Sequence, residues 1–186
     1  MIRALDIIFS LIGILCGLPI FLAVIILSLV DHGSPFFRQS RVGKNQQLFT
    51  LVKFRTMAIG TQSVGTHLVD PSSITKLGRF LRKTKLDELP QLFNVLRGDM
   101  SLVGPRPCLP NQTELVSERA QRDVFKLRPG ITGLAQVHEV DMSTPRKLAR
   151  YDQIMVNRMS LKLYLKMIIA TAFGKGRGDR VRTALA

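Results

Sequence analysis

The chain has no tryptophan, 2 tyrosines, 2 cysteines and 3 histidines in 186 residues. Cys16 lies inside an apolar run and Cys108 directly follows Pro107, a usage that excludes a disulfide framework and offers no metal-ligand spacing. His67 has no second ligand type spaced around it and reads as a surface imidazole. Acidic residues are scarce too: 13 Asp and Glu stand against 27 Lys and Arg, a formal net charge of +14. Such a surface attracts anions, whether phosphorylated lipids, nucleotide diphosphates or nucleic acid. Nucleic acid is the weakest of these, because no aromatics interleave with the basic residues and no finger or RNA-binding signature occurs. The length suits one domain with a real core and is short for two.

What the chain does have is a long apolar run. From Ile7 to Val30 there is no charged residue, and at about 1.5 Å per residue a helix there reaches about 36 Å, more than a hydrocarbon core of about 30 Å. The run belongs in a bilayer, and its length and the absence of a small-x-small site near Ser28 disfavour a cleaved signal. Gly17, Leu18 and Pro19 interrupt its middle, where proline removes a backbone hydrogen bond and invites a kink. Two topologies follow. A straight span puts the C-terminal part in the cytoplasm, since Arg38, Arg41 and Lys44 outweigh Arg3, whereas a bent hairpin leaves both ends there.

Beyond the run, residues 31–37 read as a turn. Phe36–Arg41 and Leu48–Arg55 read as short strands around a Gly43-Lys44-Asn45 turn. Residues 58–73 are the most loop-like. The spacing predicts a basic amphipathic helix over 74–85, with Ile74, Leu77, Phe80 and Leu81 on its apolar side, suited to an anionic lipid interface. A mixed-charge helix is expected over 111–127 and a long apolar-periodic one over 151–173, with a mobile tail over 174–186.

Two adjacent carboxylates, Asp87 and Glu88, precede a short helix that starts at Pro90 and ends at Gly98. Free amides and the helix dipole there favour ionised carboxylates, and an ionised aspartate can act as nucleophile or metal ligand. Against this stands an ordinary capping pair of Thr84 and Asp87. Three further blocks carry cations, the first and third together with glycine or proline: Gln39-Ser-Arg41-Val-Gly43, Lys53-Phe-Arg55-Thr-Met57 and Arg128-Pro-Gly-Ile-Thr-Gly-Leu-Ala-Gln136. Arg41, Arg55, Arg106 and Arg128 have the donor geometry to hold a diphosphate, and each suits a structural ion pair equally well.

Taken in order after the proline-interrupted apolar run, these blocks resemble the bacterial sugar transferase family, the small monotopic phosphoglycosyl transferases. Asp-Glu-Leu-Pro-Gln-Leu-Phe-Asn-Val-Leu-Arg-Gly-Asp-Met-Ser-Leu-Val-Gly-Pro-Arg-Pro, residues 87–107, carries most of the specificity, and the 128–136 block reinforces it. The resemblance implies transfer of a sugar-1-phosphate from a UDP-sugar to polyprenol phosphate, with release of UMP. It further implies Mg²⁺, attack by Asp87 on the sugar-bearing phosphate to give a covalent intermediate, and Glu88 on the metal and acid–base side. Arg106 of Gly-Pro-Arg-Pro becomes a phosphate or nucleotide contact. The implied topology is a re-entrant hairpin, although Leu18-Pro19 stands where the family has Ser-Pro. Asp152 matches a late acidic position, with an ion pair to Arg82 or Arg150 as its ordinary explanation.

The expectation is therefore an α/β, helix-rich protein in three parts. Residues 1–32 form a re-entrant helix-break-helix turning at Pro19, residues 33–173 one compact cytoplasmic domain with interfacial amphipathic helices and a short β-hairpin, and residues 174–186 a flexible tail. Catalytic and metal roles fall to Asp87 and Glu88; substrate phosphate falls to Arg41, Lys53, Arg55, Arg106 and Arg128. Expected partners are a UDP-sugar, polyprenol phosphate and membrane lipid, with no nucleic acid; a homodimer stays open. The expected location is the cytoplasmic face of a bacterial inner membrane. The competing class is a catalytically silent membrane-anchored scaffold of a polysaccharide assembly complex. The sugar itself is not written in the residues, and the stretches 58–73 and 137–146 are the expected lining of its pocket.

Overall fold

The computed structural model describes residues 1–61 and 70–176. His67, residues 62–69 of the stretch expected to line the donor pocket and the tail beyond residue 176 lie outside them. The fold is helix-rich α/β, with an N-terminal apolar helix and two small two-stranded sheets.

Helix α1 runs from Ile2 to His32 and is closed by Gly33, whose left-handed φ of 73° lets its N–H reach the Leu29 carbonyl. The expected break at Pro19 is not an interruption: α1 is one element with Pro19 inside. Proline forfeits one ladder bond, and the turns on either side keep theirs. The buried positions of α1 are Asp6, Ser10, Gly17, Phe21, Val24 and Ser28, a stripe at helical spacing along its whole length. Small residues on that stripe permit close approach; a Cβ on Gly13 would meet Leu92 at 3.1 Å. Both halves of α1 therefore pack on the same body. In the N-terminal half Asp6 accepts from Ser101, Leu102 and Tyr164, while in the C-terminal half Phe21 meets Phe54 and Phe93.

Strands β1 (Phe36–Val42) and β2 (Leu48–Phe54) pair antiparallel from Phe36↔Phe54 to Val42↔Leu48, close to the expected hairpin. A 3₁₀ turn over Lys44–Gln46 joins them, with Asn45 left-handed at φ 52°. Helix α2 (Lys76–Thr84) is capped by the Thr75 side chain, which accepts from the Gly78 N–H. The Thr84 hydroxyl donates back to the Phe80 and Leu81 carbonyls, so the expected Thr84–Asp87 capping pair is not formed. Helix α3 (Gln91–Arg97) ends at Gly98 with φ 98°.

A second sheet was not expected. Strands β3 (Ser101–Val103) and β4 (Gly130–Thr132) pair in parallel, and they approach so closely that a Cβ on Gly104 would lie 2.3 Å from the Arg128 carbonyl. The helix expected over 111–127 is α4 (Thr113–Ala120) followed by a separate 3₁₀ turn, because Asp123 turns left-handed at φ 58°. After the single-turn helix α5 (Leu134–Val137), the long stretch 151–173 belongs to two helices, α6 (Pro145–Arg158) and α7 (Leu161–Ala172). Ser160 caps α7, and an N-cap needs extended backbone that a continuous helix cannot supply.

One core cluster joins α1, α2 and β2 through Phe21, Val24, Leu81 and Phe54, with Leu86 and Leu89 packed against it. Complete burial of a side chain such as Leu81 contributes roughly 1.5–3 kcal/mol. Because Leu86 and Leu89 bracket Asp87 and Glu88, this core fixes the backbone that carries the two carboxylates.

Candidate active site

Asp87 and Glu88 occupy a 3₁₀ turn, Leu86–Glu88, between α2 and α3. Lys85 enters it at a left-handed φ of 59°, which ends α2 and turns the chain. Leu89 and Pro90 continue with helical backbone into α3, so residues 86–97 form one helical run.

Glu88 is held from two sides. Its Oε1 accepts from Lys53 Nζ on β2 at 3.2 Å and from both terminal nitrogens of Arg106 at 3.3 and 3.4 Å. All three side chains are largely buried, which leaves their charges poorly screened. Asp87 is only 8% exposed. Burial pushes its carboxyl up to about 6, with the Lys53 charge opposing and Glu88 adding to the rise; Arg82 and Arg106 oppose it more weakly. Burial likewise lowers the Lys85 ammonium, against the pull of Glu88. The turn thus holds two carboxylates inside a ring of Lys53, Arg82, Lys85 and Arg106.

The expected cations separate into two groups. Lys53 and Arg106 meet at Glu88. The other three bond backbone carbonyls: Arg41 to Pro107 at 3.0 Å, Arg55 to Ser34 and Phe36 at 3.2 Å each, and Arg128 to Gly98 at 2.8 Å. Arg55 also lies 5.8 Å from the Phe37 ring, clamping the exit from α1. Arg128→Gln is expected to lower unfolding stability by about 1 kcal/mol, through the lost bond to the end of α3. A denaturant melt showing no shift would mean that this bond is not held in solution.

Asp152 does not pair with Arg82 or Arg150 as expected. It forms a buried ion pair with Arg119, Nε to Oδ2 at 2.9 Å, and Arg119 NH1 donates to the Arg106 carbonyl at 2.8 Å. Burial disfavours the Arg119 charge, yet Asp152 beside it raises its pKa on balance. The segment carrying Arg106 is therefore fixed from α4 and α6. Beside it lies a shallow, open cleft walled by Pro105, Pro107, Phe125, Leu127 and Pro129. Arg82 and Lys85 belong to the 74–85 stretch whose pattern suits a lipid interface. Their proximity to the carboxylates in sequence was the available signal.

A family model described as bacterial sugar transferase matches residues 1–176. The chain belongs to the bacterial sugar transferase family. It is 41% identical over 170 residues to an uncharacterised sugar transferase, EpsL, of Bacillus subtilis (strain 168), covering 91% of this chain and 84% of that one. Over 185 residues it is 37% identical to the galactosyl transferase CpsE of Streptococcus agalactiae, covering 91% of this chain and 40% of the relative. A third relative is the UDP-glucose:undecaprenyl-phosphate glucose-1-phosphate transferase of Xanthomonas campestris, 38% identical over 181 residues, covering 90% of this chain and 37% of the relative. Against those two longer relatives, the chain spans well under half of their length.

Among the described residues no group of three or more His, Cys, Asp and Glu comes together as a metal cage. The Asp87–Glu88 pair does fit magnesium. That cation is held by one or two carboxylates together with substrate phosphates, and Asp87 and Glu88 are two adjacent carboxylates in one turn.

Proposed function

We propose that this sugar transferase moves a sugar-1-phosphate from a UDP-sugar to polyprenol phosphate through a covalent intermediate on Asp87. The observation that carries this reading is Asp87 itself: a buried carboxylate, next to a glutamate clamped by Lys53 and Arg106. Relatives support the substrate classes. One is named for UDP-glucose and undecaprenyl phosphate, another for UDP-N-acetylgalactosamine and undecaprenyl phosphate. Their sugars differ, so membership of the family leaves this chain's sugar open.

In the first step an Asp87 carboxylate oxygen bonds to the phosphorus that bears the sugar. The bond from that phosphorus to the bridging oxygen of the diphosphate breaks, and UMP leaves with the electron pair. In the second step an oxygen of polyprenol phosphate bonds to the same phosphorus and releases the Asp87 carboxylate. A carboxylate nucleophile thus divides one hard displacement into two. Lys53 and Arg106 lie beside the dyad, where they counter the donor's negative charge and the repulsion it would present to Asp87. Asp87 and Glu88 would hold magnesium, which would supply further neutralisation of the phosphate charge.

The membrane reading follows from α1. It is long and apolar enough to cross a bilayer, yet its buried stripe meets the catalytic body near both ends. A crossing helix would carry one end to the far surface, away from a body that bears Lys53 and Arg106. This supports an α1 that keeps both ends on the body's side of the membrane and bends at Pro19 to do so, with the site on the cytoplasmic face of a bacterial inner membrane. Exposed Phe80 with Arg79 and Lys83 on α2, and exposed Leu165 and Ile169 with Lys162 and Lys166 on α7, suit the headgroup region.

The test is UMP release by the protein in lipid nanodiscs, with a panel of UDP-sugars, undecaprenyl phosphate and Mg²⁺. Without acceptor, one UDP-sugar is expected to give a burst of about one UMP per protein, with turnover only once acceptor is added. Chelating the metal with EDTA should abolish both phases. Absence of release from every UDP-sugar would reject the reading.

A further inference from the structure

Gln91 is 2% exposed, and its amide Nε2 is buried without a hydrogen-bond partner among the described residues. An unpaired buried amide is costly, and folded proteins retain few of them. Its surroundings make it more unusual. Asn94, one turn later on the same face, has its amide satisfied: Oδ1 accepts from the Val52 N–H at 3.1 Å, and Nδ2 donates to the Thr50 carbonyl at 2.8 Å. Glu88, one turn earlier, reaches Lys53 of the same strand. Gln91 therefore lies between two satisfied contacts with β2 and is itself unsatisfied.

The carboxylate proposed as nucleophile lies four residues before Gln91 in the chain. Asp87 sits in the 3₁₀ turn and Gln91 opens α3, with Leu89 and Pro90 in helical backbone between them, and side chains on such backbone lean toward the N-terminus, here toward Asp87. Glutamine and aspartate at that spacing form a recognised helical hydrogen-bonded pair. The Asp87 carboxylate makes no hydrogen bond among the described residues; its neighbours act on it through charge alone. Both side chains lack a hydrogen-bond partner among the described residues.

We propose that Gln91 is a positioning residue for Asp87. When the donor binds, the Gln91 amide N–H donates to the carboxylate oxygen that does not attack, and so aims the other oxygen at phosphorus. This rests on the nucleophile assignment above. Storing an unmet donor beside the nucleophile costs stability in the free protein and returns it as alignment during the reaction.

Gln91→Met tests the pair, since it keeps length and volume and removes the amide. Removing an unsatisfied buried group predicts a melting temperature equal to or above wild type. Loss of alignment predicts a first-step UMP burst rate lower by about tenfold to a hundredfold, with donor KM little changed. Gln91→Glu, which replaces the donor by a second acceptor facing Asp87, is expected to be slower still. A Gln91→Met protein with the wild-type burst rate would overturn the proposal. So would one with a sharply lowered melting temperature, because the amide would then have a structural partner. Asp87→Asn, run in parallel, keeps the two assignments apart: if it is inert while Gln91→Met is unimpaired, only the positioning role fails, and if Asp87→Asn stays active, the nucleophile assignment fails with it.

Discussion

Asp87→Asn is expected to fold normally and to lose UMP release altogether, by at least about 10⁴-fold, the scale seen when a covalent nucleophile is removed. Asparagine matches aspartate in shape, so packing of Leu86 and Leu89 into the α1–α2–β2 core is retained. The electrostatics point the same way. Burial holds the Asp87 carboxyl at about 6, so ionising it in the folded protein costs more than in the unfolded chain. The folded state therefore binds the proton more tightly. Wild type loses stability as pH rises from the ordinary carboxyl range through about 6, and the loss is complete above that. In metal-free buffer the melting temperature of Asp87→Asn should match wild type at acid pH and equal or exceed it at pH above about 7. An inert variant that melts well below wild type would mean that Asp87 serves the fold. An active variant would remove it as nucleophile.

The dyad and its helix were legible in sequence because they rest on local rules. Proline fits the first turn, glycine accepts the left-handed φ of 98° at Gly98, and the hairpin follows from two apolar-rich strands around a glycine. Other features depend on contacts between distant residues. Strands β3 and β4 have three residues each and pair across about thirty residues of chain, too short for any periodicity to show. Arg55 and Arg128 look like phosphate ligands by composition, yet each bonds a carbonyl, because a guanidinium suits either anion or backbone oxygen. The partner of Asp152 lies on α4, 33 residues earlier, where spacing gives no hint of it.

The same limit applies to α1, whose apolar run announced a membrane while its polar residues announced nothing. Asp6 is 2% exposed, and its Oδ1 accepts from Ser101 Oγ, the Leu102 N–H and Tyr164 Oη, each at 2.9 Å. Arg3, one turn away, donates to the Val95 and Leu96 carbonyls at the end of α3. These bonds tie the first turns of α1 to β3, α7 and α3.

Asp6→Ala leaves three donors without their acceptor, two of them on the buried side chains of Ser101 and Tyr164, and is expected to cost about 3–5 kcal/mol. Asp6→Asn keeps one acceptor oxygen and should cost less than half as much. Tyr164→Phe should cost little when added to Asp6→Ala, because the hydroxyl it removes has already lost its acceptor; the double-mutant cycle in detergent measures that coupling. Topology gives a second readout. If Asp6 holds the N-terminal half on the body, a cysteine placed at Ile2 should be closed to reagents outside the cell in wild type and should stay closed in Asp6→Asn. Labelling of that cysteine in the otherwise wild-type protein would carry residue 2 across the membrane. It would then separate Asp6 from Ser101, Leu102 and Tyr164, and the packing of both halves of α1 on one body would have to be abandoned.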